Sequence, residues 1–422
     1  MYWDALGLRA ELAAGMAPAR RPFLRDAATS HLRFLAGRVI PIAGETEAHA
    51  HAAAGWLLRA QATRADGGVS YGYFPCRGPE WGWKPSYPET TGYIITSLLA
   101  YGTRFPERPV AQAVRRMAEW EAEIQMPSGA VQGGQVCPPE KQTPAAFNTG
   151  MVLDGWCSAY SAFRDEWQLN AARRAADWLV NDLDEQGYFR TNGEFVRPGE
   201  IKTYSCLCGW AIYRFGDITG DSRYHHAAVR TVEAALRQQQ ANGWFAHNCL
   251  ARSDAPLTHT IGYTLQGMIE VGVLAKREDF ISAARKCVDQ LERRVSTIGF
   301  LPGCFYEDWE PAAFSSCLTG SAQVAIAAFR LYELTKDLTY KRFANVLVDY
   351  LKSMQELEVA DAGVHGALAG SFPIFGDYMR GGYPNWATKY LLDALLLQDR
   401  VDRPFPEGRA GATLGDTRPT QA

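Results

Sequence analysis

WLVNDLDEQGYF, from Trp178 to Phe189, reads as the end of an amphipathic helix, a glycine turn and an aromatic landing. The same succession returns in Ala234–Phe245 (AALRQQQANGWF) and Val288–Phe300 (VDQLERRVSTIGF). Looser copies end near Gly67-Gly68 after Trp56–Gln61, near Gly129 after Trp120–Gln125, and near Gly363 after Tyr350–Gln355, which makes six. Each carries one polar face. In Ala171–Leu183, Arg173, Arg174, Asp177 and Asn181 alternate with Ala172, Ala175, Ala176, Leu179 and Val180.

A second kind of helix follows each of these after a loop. The six stretches are Thr91–Gly102, Asn148–Ala162, Thr203–Phe215, His259–Gly272, Cys317–Leu334 and Asn385–Leu397. They are apolar on all sides, with Gly, Ala, Ser and Cys where neighbours approach closely, so they belong in the interior. Gly92, Gly150, Gly262 and Gly320 mark steps of 58, 112 and 58 residues, the middle step spanning two repeats. Six outer helices alternating with six inner ones predict an all-α (α/α)6 toroid. An open solenoid would need polar capping repeats at its ends, and Asn385–Leu397 is as apolar as the middle of the series. The expected organisation is a helical extension over 1–44, the toroid over 45–401, and a disordered tail over 402–422, where Pro, Gly and Thr recur without periodicity.

The 422 residues are 47% hydrophobic and 21% charged, the balance of a chain with a sizeable core. A net charge of -3 and the lack of a long Lys/Arg run argue against a nucleic-acid partner. No apolar stretch is long enough to span a bilayer, and Met1–Asp26 lacks a basic segment followed by an apolar one, so the expected compartment is the cytoplasm. Nine scattered cysteines read as reduced thiols. Cys206-Leu207-Cys208 lacks the further ligands that a zinc site needs, so neither a metal nor a cofactor is expected.

Loops held by a rigid scaffold carry function, and here the loops entering the inner helices are long. Gly67–Thr90 holds Trp81, Trp83, Lys84, Tyr87 and Glu89; Phe372–Trp386 holds Tyr378, Arg380, Asn385 and Trp386. Asn148, Lys202, Tyr204, Trp244, His247 and Tyr306 sit at corresponding edges of other repeats. Aromatic faces stack on the C–H faces of sugars while cations and amides bond hydroxyls and uronate groups, so the set predicts an extended oligo- or polysaccharide partner. The bland alternative is that these rings plug the toroid and staple its loops. Thr90, Thr149, Thr258 and Ser315 are explained as N-caps.

Five residues are candidates for chemistry. His259 opens an inner helix with Tyr263 one turn further on the same face, a spacing suited to base and acid, and the helix N-terminus would hold the imidazole neutral. Glu89, and the pair Glu307 and Asp308, fall in loops at the mouth, where two carboxylates facing each other would suit glycoside hydrolysis. A solvated loop is the competing reading for Glu307 and Asp308, and a helix-start carboxylate for Glu89.

The repeat, the aromatic loops and the segments WKPSYPETTGY, AFNTGMVLDGW, THTIGYTLQG and GYPNWATKYLLDAL resemble the (α/α)6 toroids of carbohydrate-active enzymes over roughly residues 45 to 400. That group includes glycoside hydrolases, unsaturated glucuronyl hydrolases, polysaccharide lyases and N-acylglucosamine 2-epimerases. The resemblance implies a glycoside hydrolase first. A lyase or uronate C5-epimerase would instead use Tyr263 and His259, with Lys202 or Arg380 neutralising the carboxylate. QATRADGGVSY and QQQANGWF are also similar to the Gln-to-Trp repeats of squalene cyclase and prenyltransferase toroids, but DLDE at Asp182–Glu185 closes an outer helix, away from a central cavity. A glycan- or protein-binding scaffold without chemistry is the remaining alternative.

Overall fold

The computed structural model describes residues 40–75, 82–193, 196–197, 199–250 and 254–403. The proposed extension before residue 40, the tail after 403, and Trp81 lie outside them. Twelve α-helices are present among the described residues. The outer set is α1 (Thr46–Ala62), α3 (Ala111–Ile124), α5 (Glu166–Asp182), α7 (Ser222–Leu236), α9 (Glu278–Glu292) and α11 (Leu338–Met354). The inner set is α2 (Pro88–Arg104), α4 (Ala146–Phe163), α6 (Leu207–Thr219), α8 (Thr258–Leu274), α10 (Leu318–Thr335) and α12 (Asn385–Asp402). Inner helices touch in the order α2, α4, α6, α8, α10, α12 and back to α2, while α1 packs on α12 to complete the sixth hairpin. The architecture is the expected (α/α)6 toroid.

The closure is built into the turn that the sequence repeats. Gly67, Gly129, Gly187, Gly243, Gly299 and Gly366 all take positive φ, between 86° and 101°. A side chain on any of them would run into a backbone carbonyl of the next outer helix: Arg116, Arg174, Arg230, Lys286, Val346 and, across the join, Ala52. The sixth turn glycine is thus Gly366; Gly363, to which the sequence pattern pointed, packs against the Tyr73 ring instead. At four of these turns a glutamine ends the outer helix and ties it to its successor. Gln61, Gln125, Gln239 and Gln355 donate through Nε2 both to the carbonyl at their own turn and to Ala113, Ala171, Ala283 and His49 respectively. The Gln-to-Trp similarity is therefore architectural, a clamp between neighbouring repeats.

Inner helices approach more closely. A methyl on Gly92 would lie 2.6 Å from Val152 Cα, and one on Gly320 would strike the Thr258–His259 backbone. Such contact needs small residues. Helix starts differ from expectation in one respect: α2, α4, α8 and α10 have no side-chain N-cap bond. Threonines one turn further in reach outward instead. Thr91, Thr149 and Thr388 accept the backbone N–H of Val69, Val131 and Leu368, pinning the mouth loops to the inner ring. Short strands complete the mouth: β1 (Gly72–Phe74) pairs antiparallel with β2 (Gly82–Trp83) and β5 (Tyr383–Pro384), and β3 (Ser316–Cys317) with β4 (Ser371–Phe372). No helix of the described residues is long and apolar enough to cross a membrane, and their eight cysteines are free thiols.

One buried carboxyl stands apart from the repeat logic. Glu121 on α3 is fully buried, neither carboxyl oxygen has a hydrogen-bond partner, and burial raises its pKa well above the usual range. The folded protein then holds this proton more tightly than the unfolded chain does. The resulting penalty is absent below the unfolded pKa of about 4.3 and grows as pH rises towards the folded value. Glu121→Gln is expected to raise the melting temperature by an amount that widens from pH 4 upward. A gap independent of pH would show that this carboxyl is not the cause.

Candidate active site

Glu89 lies in the first turn of α2 behind Pro88. The helix N-terminus favours a carboxylate there, yet burial prevails and holds the carboxyl proton up to a pKa of about 8. The residue nonetheless keeps some accessible surface, as expected of a side chain facing the inside of a funnel. Six phenols feel its charge: Tyr87, Tyr93, Tyr204, Tyr263, Tyr378 and Tyr390. In each, burial is the main cause that raises the pKa and Glu89 adds to it, so all six remain protonated through neutrality. They come from α2, α8, α12 and the loops entering α2, α6 and α12, so one carboxyl lies near an aromatic cluster drawn from several repeats. Tyr87 also lies beside Asn148.

His259 opens into the same chamber. Its ring is 4.4 Å from Tyr263, 5.5 Å from Tyr378 and 6.3 Å from Tyr390, centroid to centroid. Nδ1 is 2.7 Å from Gln323 Oε1; with the amide assigned this way Nδ1 carries the proton and Nε2 is the basic nitrogen. Burial, with Lys389 nearby, lowers its pKa to about 4 against the opposing bond from Gln323. The imidazole is neutral, as expected, but desolvation is the leading cause rather than the helix terminus.

Beneath the tyrosines the interior is sealed by ion pairs. Lys389 Nζ lies 2.8 Å from Asp393 Oδ2 and 3.8 Å from the Tyr390 ring centre. Asp154 takes Arg214, Thr96 and Ser158 into one cluster, and Glu270 holds Arg330. These carboxylates are paired and stay on the floor. Glu89 is the carboxyl that the chamber presents.

Other residues singled out in the sequence divide into groups. Tyr378 accepts a bond from Trp386 Nε1 at 2.9 Å, and both stand at the chamber wall. Asn385 is fully buried and donates to Ser70 O and Thr90 Oγ1, while Asn148 donates to Gln132 O; both hold loops in place. Trp83 packs between Trp56 and Tyr73, and Lys84 lies over Phe74, towards the outer layer. Arg380 is half-buried in the loop before α12.

Glu307 and Asp308 are exposed. They line a different cavity together with Lys202, Trp244, His247 and Tyr306, and neither Glu89, His259 nor Tyr263 is part of its wall. The pair of carboxylates expected to face each other across the funnel is therefore not assembled. The Lys202 ammonium is spent on Glu200 Oε1, Cys249 O and Leu250 O, leaving no N–H for a substrate carboxylate.

Sequence reading passed over Tyr93, Tyr390, Phe147 and Gln323. The signal was present: Glu89/Tyr93, His259/Tyr263 and Trp386/Tyr390 are each a mouth residue followed four positions later by a tyrosine on the same helix face. Laying the inner helices over one another would have found it.

No protein-family model matches the chain, and no curated protein matches it by sequence. Solved structures do. An unsaturated glucuronyl hydrolase specific for heparin superimposes with a TM-score of 0.67 at 15% identity, covering 85% of this chain and 97% of the other. The chain has the (α/α)6-toroid fold of carbohydrate-active enzymes. The unsaturated glucuronyl hydrolase from Bacillus sp. GL1, responsible for the degradation of glycosaminoglycan, gives 0.65 at 16% identity over 84% and 97% of the two chains. A D-mannose isomerase gives 0.64 at 13% identity over 83% and 97%.

Proposed function

We propose that the chain hydrolyses a uronate-containing oligosaccharide at the tyrosine-lined chamber, with Glu89 as general acid. The observation that carries this reading is a carboxyl that burial keeps protonated near neutral pH, still partly accessible and close enough to six phenols to act on their charge. A proton donor with a pKa near the working pH is what general-acid protonation of the substrate needs. Glycosidases acting by displacement employ two carboxyl groups flanking the bond, and among the described residues the chamber offers one that is not held in an ion pair. The enol ether of an unsaturated uronide makes a simpler demand: one proton to C4 of the double bond and one water to the resulting cation at C5, giving a hemiketal whose ring opens to leave a hemiacetal at C1 that expels the rest of the saccharide as an alcohol. This supports an unsaturated uronide as substrate, the class that the glucuronyl hydrolases of the same fold act on by their names. Tyrosine faces would carry the sugar ring, and Glu89, once ionised, would take the proton of the attacking water.

The test is incubation with oligosaccharides ending in an unsaturated uronate, in heavy-oxygen water. Hydration predicts loss of the ultraviolet band of the double bond and one heavy oxygen in the product. Gain of that band from a saturated polymer would mean elimination instead. A second reading rests on the neutral His259 stacked near Tyr263: exchange of a uronate C5 proton between them. It predicts solvent deuterium in the sugar without cleavage.

A further inference from the structure

On the mouth side, a cavity of about 1230 Å³ lies between the loops that enter α6, α8 and α10. Its walls are tied together. Asn242 donates to Glu307 O at 2.8 Å and accepts from Trp244 N, while Trp309 Nε1 donates back to Asn242 O. Trp244 stands edge-on to Trp309, with ring centres 5.2 Å apart, which fixes the inner wall. Tyr306 is 46% exposed and offers an unoccupied ring at the rim. Asn248, also in the lining, is 1% exposed; its Oδ1 takes the Thr264 hydroxyl at 2.8 Å and its Nδ2 has no partner. A buried amide left half-satisfied is costly unless a ligand or water completes it.

The charge of the walls says what class of ligand fits. Glu200, Asp254, Glu307 and Asp308 face Arg197 and Lys202. Lys202 is saturated by Glu200 and two carbonyls, and Glu200 Oε2 also accepts the backbone N–H of Arg197, whose guanidinium remains in the lining with the three carboxylates of Asp254, Glu307 and Asp308. What remains is an excess of carboxylate over free cation, which repels a uronate and accepts hydroxyls or an ammonium. We infer that this cavity is a second saccharide site, for uncharged or amine-bearing sugar units, distinct from the Glu89 chamber. The inference rests on the reading of the chain as a carbohydrate-acting enzyme. It places the acidic sugar in the chamber and its neutral or basic neighbours outside.

The experiment is calorimetric titration of the full chain with three probes: a glucose tetrasaccharide, a de-N-acetylated glucosamine tetrasaccharide, and a galacturonate tetrasaccharide. The first two are expected to bind, and Tyr306→Ala to weaken both by about tenfold, the loss of roughly one stacking contact. Asp254→Asn combined with Glu307→Gln should weaken the amine-bearing probe alone. Both variants alter exposed or loop side chains, and an unchanged circular dichroism spectrum and melting temperature verify the fold. Binding of the first two probes unaffected by Tyr306→Ala, galacturonate binding that Tyr306→Ala weakens as strongly, or no binding of the first two overturns the inference. Turnover of unsaturated uronides is scored separately: its absence with Tyr306-dependent binding intact defeats the proposed reaction and leaves this site standing.

Discussion

Glu89→Gln is expected to lower kcat/KM on an unsaturated uronide by about 10²–10⁴-fold, the usual contribution of a positioned general acid, while leaving KM within a few-fold. The amide keeps the shape of the side chain and its place among the tyrosines, but has no proton of suitable acidity to give. The wild-type rate should fall as pH rises through about 8, where burial places this carboxyl, and the variant's residual rate should lose that limb. Stability should move the other way. A carboxyl whose folded pKa is raised destabilises the fold increasingly from pH ~4.3 up to the folded value, so the Gln variant is expected to melt higher than wild type at pH 7. A variant that is both inactive and less stable would indicate a structural carboxyl.

Arg330→Met should have the largest effect on stability, about 3–5 kcal/mol of destabilisation, the range for removing one partner of a buried ion pair. Arg330 on α10 binds Glu270 on α8 through two bonds, Nε to Oε1 at 2.8 Å and Nη2 to Oε2 at 3.0 Å; the side chains are 7% and 2% exposed. Its third arm reaches Glu333, which Arg400 on α12 also holds. Without the guanidinium, Glu270 is an uncompensated charge inside the ring. Replacing both partners, Arg330→Met with Glu270→Leu, should recover most of the loss, because the desolvation penalty goes with the charges. Urea unfolding of the two variants measures the difference; equal destabilisation by the single and double changes would mean that packing, not charge, governs this layer.

The ring was legible because its determinants are local and repeated. A polar face on one helix of each pair, none on the other, and a glycine after the first kind are visible at fixed spacing, and each corresponds to a contact between consecutive repeats. Two details were not legible. Gly363 and Gly366 compete for one turn, and only the carbonyl of Ala52, more than 300 positions away, selects the second. Thr149 looks like an N-cap locally, yet it serves a loop 18 residues distant, as Thr91 and Thr388 do in their own repeats.

The site was legible in part. Glu89, His259, Tyr263 and Tyr378 were named from helix starts and mouth loops, and the structure brings them together. Glu307 and Asp308 were named on the same ground, but mouth loops differ in how far they reach inward. The Phe305–Trp309 loop is tied back to Asn242 and Arg294 on the outer side, so its carboxylates face the second cavity. Lys202 looked free because its three carbonyl and carboxylate partners include two 47 and 48 residues away.

The most direct test of the account is the crystal structure of the Glu89→Gln variant soaked with an oligosaccharide ending in an unsaturated uronate. The account predicts the uronate ring within the chamber, stacked on the tyrosines of α8 and α12, with its double bond in reach of the side chain at position 89. A terminal sugar bound elsewhere on the mouth, with the tyrosine chamber closed to it, would contradict the assignment of Glu89 and the proposed reaction with it.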